Sequence, residues 1–364
     1  MNTLFGIWHF IQAQLFPKFE ENNGPLTEKE KKFIEILSLL NLEKHIHEYS
    51  WKGTGRKRKN RLNIARALVA KMLYNFETTN LLIDHLNGSK NLRRLCGWAD
   101  PFEIPHPSTF SRAFDEFSMG CLPQKVHEAM IENHYGDKIV GHISRDSTAI
   151  EAREKPVKKN TQEPHQPKRK RGRPRKGEVV PPKPPKRLDL QLKRSLEENL
   201  EELPTQCDVG TKKNSKGYKV SWTGYKFHID SIDGDIPIST ILTSASLHDS
   251  QAAIVLAQIS NQRVTNLYDL MDSAYDAPQI HNFCEQLGHR PIIDHNPRRG
   301  EKKHMDPATK TRYGERSGVE RVNSNLKDNY GGRNIRVKGP EKVVAHLMFG
   351  IIALTAVQLF RLIA

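Results

Sequence analysis

The spacing of apolar residues divides the chain into a helical first part and a mixed second part. In RLNIARALVAKMLYNF (residues 61–76), apolar residues recur every three to four positions. This period predicts a helix with one buried face. Phe110, Phe114 and Phe117 repeat the same spacing and predict another such helix, with Ser108 just before it. The first part is therefore expected to consist of short helices joined by polar turns.

Residues between these helices also predict where helices begin and end. TTNLLIDHLNGS (residues 78–89) offers Thr78 or Thr79 as a helix cap and Gly88 as a stop. A basic segment, GRKRKNR (residues 55–61), lies just upstream of the first of these helices. Short helices beside a basic segment are typical of a helix-turn-helix-like DNA-binding module. The alternative is a helical scaffold with an incidental basic cluster.

The second part alternates strands with helices. KIVGHISRDSTAI (residues 138–150) predicts a strand, and two β-rich runs around DGD (residues 233–235) predict a hairpin. Later strands are expected in VTNLYDLMD and RPIID, with helices in HDSQAAIVLAQISN and APQIHNFCEQLG. This order predicts a mixed α/β sheet with helices on its faces. We expect the first of these strands to be central in that sheet.

The apolar C-terminal segment, VVAHLMFGIIALTAVQLFRLIA, raises the possibility of a membrane span. His346, Gln358 and Arg361 interrupt it, and the uninterrupted run from Leu347 to Val357 is shorter than the roughly 20 residues that cross a bilayer. We therefore predict a buried closing helix and no membrane partner. The N-terminal segment is apolar but lacks a basic start and a cleavage site, so we do not interpret it as a signal peptide.

The charge of the chain indicates the kind of partner that it binds. The net charge is +15, which favours a polyanionic partner such as nucleic acid. Residues 154–187 carry thirteen Lys or Arg, three Glu and eight Pro, without an aromatic residue, and so account for +10 of that charge. Such a segment buries too little apolar area to offset the entropy of ordering, and we predict a disordered basic loop. The four cysteines form no CxxC pair and indicate reduced thiols in a cytosolic protein.

Within the basic loop, Arg171-Gly172-Arg173-Pro174 resembles the core of an AT-hook. A short extended backbone of this kind fits a narrow minor groove, where Arg171 and Arg173 would reach the negative potential of A·T tracts. The alternative is a solvated polybasic spacer that contacts any phosphate backbone.

One predicted helix, RYGERSGVERVNSNLK (residues 312–327), has two distinct faces. At about 100° per residue, Tyr313, Arg316, Glu320 and Lys327 fall on one side. A second face, about 120° away by the same count, is apolar: Val319, Val322 and Leu326. The polar stripe fits either a solvated surface or a catalytic face.

Three acids can complete a site beside that stripe. Asp146 and Asp272 are expected at strand ends, and Glu320 lies on the helix. Carboxylates that meet would raise each other's pKa, and divalent cations would relieve this cost. Their hard oxygen atoms suit Mg²⁺ or Mn²⁺, and two such ions about 4 Å apart can activate a nucleophile and stabilise the leaving oxygen of a phosphodiester. Arg316, Lys327 and Tyr313 would then contact DNA phosphates.

Other acids remain open as alternatives. Asp269 and Asp276 compete with Asp272, and Glu315 competes with Glu320. Asp146 could instead be a strand-end cap. His248 and Asp249 are expected to cap a helix rather than act in catalysis, and Lys226 and His228 alternate with apolar residues as on an ordinary strand.

These segments resemble a known family. The spacing Tyr313-x2-Arg316-x3-Glu320-x6-Lys327 is similar to the YREK signature of bacterial insertion-sequence DDE transposases. RDSTAIEAREKP, GYKFH, HDS and MDSAYDA resemble the blocks around that family's first two aspartates, and the segment through IPHPSTFSRAF resembles its helical N-terminal domain. In place of the long β-insertion that some members carry before the catalytic glutamate, this chain has the short polar stretch from Asn296 to Arg312.

The resemblance implies a fold, an activity and partners. It implies a helical DNA-binding domain (residues 1–135) followed by an RNase H-like domain (residues 136–364) interrupted by the basic insertion. It also implies Mg²⁺-dependent cleavage of transposon ends and their joining to target DNA by a homodimer or higher oligomer in the bacterial cytoplasm, at the nucleoid. The site residues of a transposase are equally those of a metal-dependent nuclease of the same fold. A non-catalytic DNA-binding descendant and a membrane-surface protein are further alternatives.

Overall fold

A computed structural model describes residues 4–46, 58–157, 185–213, 216–297 and 301–363. The first part of the chain is helical, as its periodicity predicts. After the short helices α1 (Leu4–Phe10) and α2 (Phe16–Asn23), joined by a π-helical turn, its helices are α3 (Glu28–Leu40), α4 (Arg61–Leu73), α5 (Thr79–Gly88), α6 (Lys90–Cys96), α7 (Pro107–Met119) and α8 (Leu122–Tyr135).

The caps of these helices match the sequence signals with one exception. The Thr78 hydroxyl accepts a hydrogen bond from the Leu81 amide at 3.1 Å, and α5 ends at Gly88, as predicted. The phenylalanine helix α7 begins two residues earlier than Ser108 suggests. Pro107 is its first residue, and the His106 ring accepts the Ser108 amide at 3.3 Å. Proline fits that position because its missing N–H would have no partner in the helix.

Six strands form one mixed sheet in the second part of the described chain. They are β1 (Ile139–Glu151), β2 (Asp208–Lys213), β3 (Lys219–Ile232), β4 (Ile236–Ser244), β5 (Thr265–Met271) and β6 (Arg290–Ile293). The order is β2-β3-β1-β5-β6, and β4 also pairs with β3. The β1–β3 and β3–β4 pairs are antiparallel, whereas β1–β5 and β5–β6 are parallel. This mixed sheet with a central first strand is consistent with an RNase H-like domain.

The sheet contains more than the sequence pattern predicted. Strand β2 was not predicted, because the polar run that ends in Lys212 and Lys213 lacks apolar alternation. It pairs with the first half of β3, which begins at Lys219, earlier than the apolar segment starts. Backbone pairing with a neighbouring strand therefore sets these limits, rather than side-chain pattern.

The remaining helices cover the sheet or extend it. They are α9 (Arg187–Gln191), α10 (Leu196–Glu202), α11 (Ser250–Arg263), α12 (Pro278–Gln286), α13 (Pro307–Tyr313), α14 (Ser317–Asn329) and α15 (Pro340–Arg361). The predicted single helix over residues 312–327 is wrong in one respect. A 3₁₀ turn, Gly314–Arg316, separates α13 from α14, so the helical count from Tyr313 to Glu320 crosses a change of period.

The C-terminal helix α15 lies in the core, as expected. It is long and apolar enough to resemble a membrane span, but 94% of its most apolar window is buried inside the protein. It packs against α3, α4, α7 and α8 on one side and against β4 and α14 on the other. One apolar core therefore runs from the helical part into the sheet. The division at residue 135 stays a prediction.

The edges of the predicted basic loop are more ordered than its composition suggested. The Tyr225 hydroxyl donates to the Glu154 carboxylate, and the Gly339 amide lies 3.3 Å from the same group. At the other edge, Arg187 begins α9 and donates to the Gln251 side chain at 2.6 Å. Residues 158–184, and with them Arg171 and Arg173, lie outside the described residues, so the AT-hook and spacer interpretations both stay open.

Two buried histidines predict sensitivity to acid. His127 of α8 donates to the Pro237 carbonyl at 3.0 Å, and His346 of α15 donates to the Gly331 carbonyl at 2.9 Å. Burial lowers the pKa of each from 6.5 to about 3. Between these values the unfolded chain binds the protons that the folded chain does not. Each neutral ring therefore makes its full contribution to the free energy of unfolding above pH 6.5, and this contribution is lost as the pH falls.

We expect His346→Gln to reduce this pH dependence. Glutamine can still donate to the Gly331 carbonyl but does not titrate. The wild type should lose about 2 kcal/mol per buried histidine between pH 7.5 and pH 5, and the variant should lose that much less. Urea denaturation at the two pH values measures this difference, with His304→Gln at an exposed position as the control. An identical pH dependence in the wild type and in His346→Gln would contradict the expectation.

Candidate active site

Two aspartates lie side by side where the parallel pairing of β1 and β5 ends. The last paired residues are Arg145 and Met271, so Asp146 and Asp272 are the next residues on adjacent strands. Neighbouring strands lie about 4.8 Å apart, and residues in register point to the same face. Both carboxylates therefore face the same side of the sheet. The prediction that Asp146 ends its strand is wrong, because β1 continues to Glu151 in pairing with β3.

Helix α14 covers the face to which Asp146 points. The Asn323 amide of α14 donates to the Asp146 carboxylate at 3.1 Å. The Ser144 hydroxyl, on the same face of β1, donates to the Glu315 carbonyl at 3.3 Å. The predicted apolar face of the helix is buried completely: Val319, Val322 and Leu326. The back of α14 thus packs in the core, which fixes its other residues beside the two aspartates.

Glu320 lies at the exposed rim of this group. Its carboxylate forms an ion pair with Arg316, and its side chain is 54% exposed. Arg316 in turn lies close enough to Asp146 and Asp272 for both carboxylates to raise the pKa of the guanidinium, although burial opposes them. Glu320 is also one helical turn before Asn323, which contacts Asp146. Arg316 therefore stands among all three acids.

Burial dominates the electrostatics of the aspartates. It raises the pKa of Asp146 from 3.8 to about 6, and the charge of Asp272 raises it further, whereas Arg316 lowers it. Burial also raises the pKa of Asp272, and a hydrogen bond from the Ala274 amide acts against this. The repulsion predicted from sequence acts on Asp146, but it is smaller than the desolvation. Both effects disfavour two negative charges here, and a cation would offset them.

The donor atoms fit a divalent cation in part. Within the described ranges, no three His, Cys, Asp or Glu side chains are arranged closely enough to hold a metal ion. Asp146 and Asp272 supply hard oxygen atoms, and the buried Asn323 Oδ1 has no hydrogen-bond partner among the described residues. These are oxygen donors of the type that Mg²⁺ and Mn²⁺ accept. Glu320 would complete a set of three carboxylates only after leaving Arg316.

The competing acids have other partners. Asp269 points to the opposite face of the sheet, where it contacts His289 at 3.1 Å and lies 3.7 Å from Arg145. Asp276 contacts His281 at 3.1 Å and accepts the Asn296 amide at 2.9 Å. The Asp272 side chain bonds only the Ala274 amide within the described chain, at 2.9 Å, which leaves oxygen lone pairs free. This geometry favours Asp272 over Asp269 and Asp276.

Asp249 is an acid whose position the sequence did not reveal. It was expected to cap α11, but its side chain makes no cap hydrogen bond, and the His248 ring instead accepts the Ser250 amide at 3.4 Å. Lys226 donates to the Asp249 carboxylate at 2.8 Å. The charge of Asp249 also raises the pKa of Asp146 and Asp272. Asp249 is thus a fourth carboxylate near the site, neutralised by Lys226.

His228 lies as the sequence predicted, whereas the contact of Asn323 with Asp146 was not predicted. His228 is buried within the sheet, where its ring contacts the Thr243 hydroxyl at 2.9 Å, so the ordinary-strand interpretation is favoured. Asn323 was missed. Its position three residues after Glu320 was the available signal, since residues three apart are neighbours on a helix.

The basic stripe divides into two groups along α14. The Arg316 guanidinium lies 5.7 Å from the centre of the Tyr313 ring, beside the acids. Lys327 is eleven residues further along, or about 16 Å at the helical rise. There it is half-buried, and the charges of Lys212, Arg333 and Glu151 act on it. Tyr313 and Arg316 therefore lie beside the acids, whereas Lys327 lies further from them.

Two parts of the chain match known protein families. Residues 142–356 match the family described as "Transposase DDE domain". Residues 18–116 match a second family, described as "Transposase domain (DUF772)". Neither a curated protein nor a solved structure matches the chain.

Proposed function

The chain belongs to the DDE transposase family, and on that premise we propose that Asp146, Asp272 and Glu320 bind the divalent metal ions with which it cuts and joins DNA strands. The transposase function follows from the two family matches. The metal site rests on one observation above all: the β1–β5 register sets Asp146 beside Asp272 under α14. When bound there, Mg²⁺ or Mn²⁺ would activate water or a 3′-hydroxyl and stabilise the leaving oxygen.

Arg316 would couple DNA binding to completion of the site. In the structure its guanidinium is paired with Glu320. A DNA phosphate offers a competing partner, because guanidinium binds phosphate oxygens through charge-assisted hydrogen bonds. Transfer of Arg316 to a phosphate would release the Glu320 carboxylate toward Asp146 and Asp272. The protein would then assemble its three acids only with DNA in place, which limits unwanted cleavage.

The partners and location follow from the same proposal. Cutting and joining two transposon ends requires both ends to be held together, so we propose that a homodimer or larger assembly acts on double-stranded DNA. The site of action would be the bacterial cytoplasm, at the nucleoid. The burial of α15 favours a non-membrane protein.

A strand-joining assay tests the proposed activity. Purified chain would be incubated with Mg²⁺, a DNA end that carries a free 3′-hydroxyl, taken from the flanks of its own gene, and a circular target. Joined product supports the transposase mechanism. Cleavage of the target without joining would instead support the alternative, a nuclease of the same fold.

We expect Arg316→Ala to remove one phosphate contact. The slope of log affinity against log salt concentration should become shallower by about 0.9, because each neutralised phosphate contributes about that much. Fluorescence anisotropy with a duplex from the gene flank measures the slope. Arg321→Ala is the matched control, since Arg321 lies on the same helix but pairs with Asp235 at 2.7 Å. Equal slopes for the wild type and Arg316→Ala would show that this residue does not hold a phosphate.

A further inference from the structure

A second basic feature lies away from the acids, between the helical part and the end of α14. A cavity of about 520 Å³ opens between α4, α7, the start of α5 and the segment that leads into α15. Five basic side chains and two carboxylates line it. The basic ones are Lys71, Arg153, Arg336, Lys338 and Lys342. The rest of the lining mixes apolar residues with uncharged polar ones, so a small polar ligand would meet charge on some sides and hydrocarbon on others.

The two carboxylates are already neutralised. Glu77 lies 3.3 Å from Arg336, and Asp115 lies 2.7 Å from Lys342. No ion pair is formed by the other three cations within the described ranges: Lys71, Arg153 and Lys338. The cavity therefore keeps an excess of positive charge.

Lys71 is the residue that the fold does not explain. It is only 6% exposed, and its ammonium group has neither a hydrogen bond nor an ion pair with the described residues. Its neighbours on α4, Leu68 and Met72, are buried apolar residues. A largely buried lysine without an ion-pair partner is costly, and methionine would fill similar space without that cost. Burial, with the charge of Arg336, lowers the pKa of Lys71 to about 8.

The first turn of α5 adds hydrogen-bond donors. Residues 78–80 line the same cavity. The amide groups of a helix's first turn have no partner within the helix, and only that of Leu81 is used by the Thr78 cap. These amides carry the positive end of the helix dipole. Together with Lys71 they form the donor set that an anion requires.

The cavity continues a basic path that starts at the acids. Lys327 at the end of α14 lies near Arg333 and Glu151. Arg153 follows Glu151 by two residues, and Arg336 follows Arg333 by three; both line the cavity. A DNA strand bound at Arg316 and Lys327 would reach the cavity along this path. This continuity favours DNA over a free small anion.

We propose that this cavity is a phosphate site, in which Lys71 and the first turn of α5 bind a backbone phosphate of DNA that is also engaged at the active site. The inference rests on the proposed function, because it takes DNA as the ligand. It assigns a role in DNA binding to a buried residue of the helical part. The site would couple the helical part to the sheet, since α4 and α5 belong to the former and Arg153 lies two residues after the end of β1.

The test compares Lys71→Met with the wild type in the full chain, without a divalent metal, so that no cleavage is involved. Without DNA, Lys71→Met should melt at a higher temperature, because the unpaired buried charge is gone. Its affinity for a fluorescent duplex of mixed sequence should fall about threefold or more. Its salt slope should become shallower by about 0.9, the contribution of one phosphate. Lys31→Met, which removes an equal charge on α3, should change neither the affinity nor the salt slope.

Each other outcome overturns the proposal. A more stable Lys71→Met with unchanged affinity and slope would show that the lysine contacts no phosphate. A less stable variant would show that Lys71 serves the fold. If inorganic phosphate raises the melting temperature of the wild type but not of Lys71→Met, and duplex binding is equal in both, the site takes a free anion rather than DNA. Lys338→Met repeats the affinity test at an exposed residue of the cavity, where folding is not at risk.

The proposed catalytic function is tested separately. Lost strand joining with a normal effect of Lys71→Met on binding would reject the catalytic proposal and retain the phosphate site. Normal strand joining with no effect of Lys71→Met on binding would retain the catalytic proposal and reject the phosphate site.

Discussion

Asp146→Asn is expected to reduce strand cleavage in Mg²⁺ by about a thousandfold or more, which corresponds to about 4 kcal/mol of transition-state stabilisation. Asparagine keeps the size of the side chain but removes the charge that would bind a cation. Asp272→Asn and Glu320→Gln should have comparable effects if the three acids act as one site. Duplex affinity measured without metal should change little, because the basic residues are intact. Gel-based cleavage of a labelled transposon-end duplex measures the rates.

The same substitution should raise the stability of the metal-free protein. Burial raises the pKa of Asp146 to about 6, so its charged form at neutral pH disfavours the folded state. Removing that charge should therefore increase the free energy of unfolding, in contrast to a substitution that merely damages the fold. Asp276→Asn is the matched control, since its carboxylate contacts His281 and the Asn296 amide instead. If Asp272→Asn cleaves fully and Asp276→Asn is inactive, then Asp276 rather than Asp272 is the second metal ligand.

Asp230→Asn is expected to destabilise the fold by about 3–5 kcal/mol, because it removes the nearer of the two carboxylates that neutralise the buried Arg145 guanidinium and leaves only Asp269, at 3.7 Å. Arg145 donates to the two Asp230 oxygens at 2.8 and 2.7 Å, and both side chains are at most 1% exposed. The Ser260 hydroxyl also donates to Asp230, at 2.6 Å. This pair lies on the face of the sheet opposite to the acids. It holds β1 to β3 at the residue just before Asp146.

Chemical denaturation measures that effect, with an exposed ion pair as the control. Asp328 and Arg333 lie 2.7 Å apart, but their side chains are 49% and 67% exposed. Asp328→Asn should cost less than about 1 kcal/mol, because water and salt screen such pairs. A similar small loss for Asp230→Asn would mean that the buried pair adds little to holding β1 in place.

Sequence periodicity predicted the elements whose side chains meet the core on a regular face. The apolar face of α14 and the phenylalanine face of α7 are of this kind, and all of their residues are buried. Strand β2 and the first residues of β3 lack such a pattern and are held by backbone pairing with each other. Turn and cap residues predicted the limits of α5 correctly and the start of α7 to within two residues.

The candidate site was predicted in its members but not in its arrangement. The register of Arg145 with Met271, which sets the two aspartates together, depends on long-range pairing that no local pattern encodes. The same holds for Asn323 against Asp146 and for Lys226 against Asp249, because the partners are far apart in sequence. The Arg316–Glu320 pair was accessible, since residues four apart on a helix often form ion pairs. The sequence pattern instead assigned Glu320 to a metal ion and Arg316 to a DNA phosphate.

Replacing a proposed ligand by cysteine tests the central claim most directly. Asp272→Cys would be assayed for cleavage of the transposon-end duplex in Mg²⁺ and in Mn²⁺. A thiolate is a poor ligand for Mg²⁺, which prefers oxygen, whereas Mn²⁺ accepts sulfur more readily. We predict that Asp272→Cys is inactive in Mg²⁺ and regains cleavage in Mn²⁺, whereas Asp272→Ala stays inactive in both. Equal cleavage by Asp272→Cys in the two metals, or none in either while Asp276→Cys shows the rescue, would contradict a metal site built on Asp146 and Asp272.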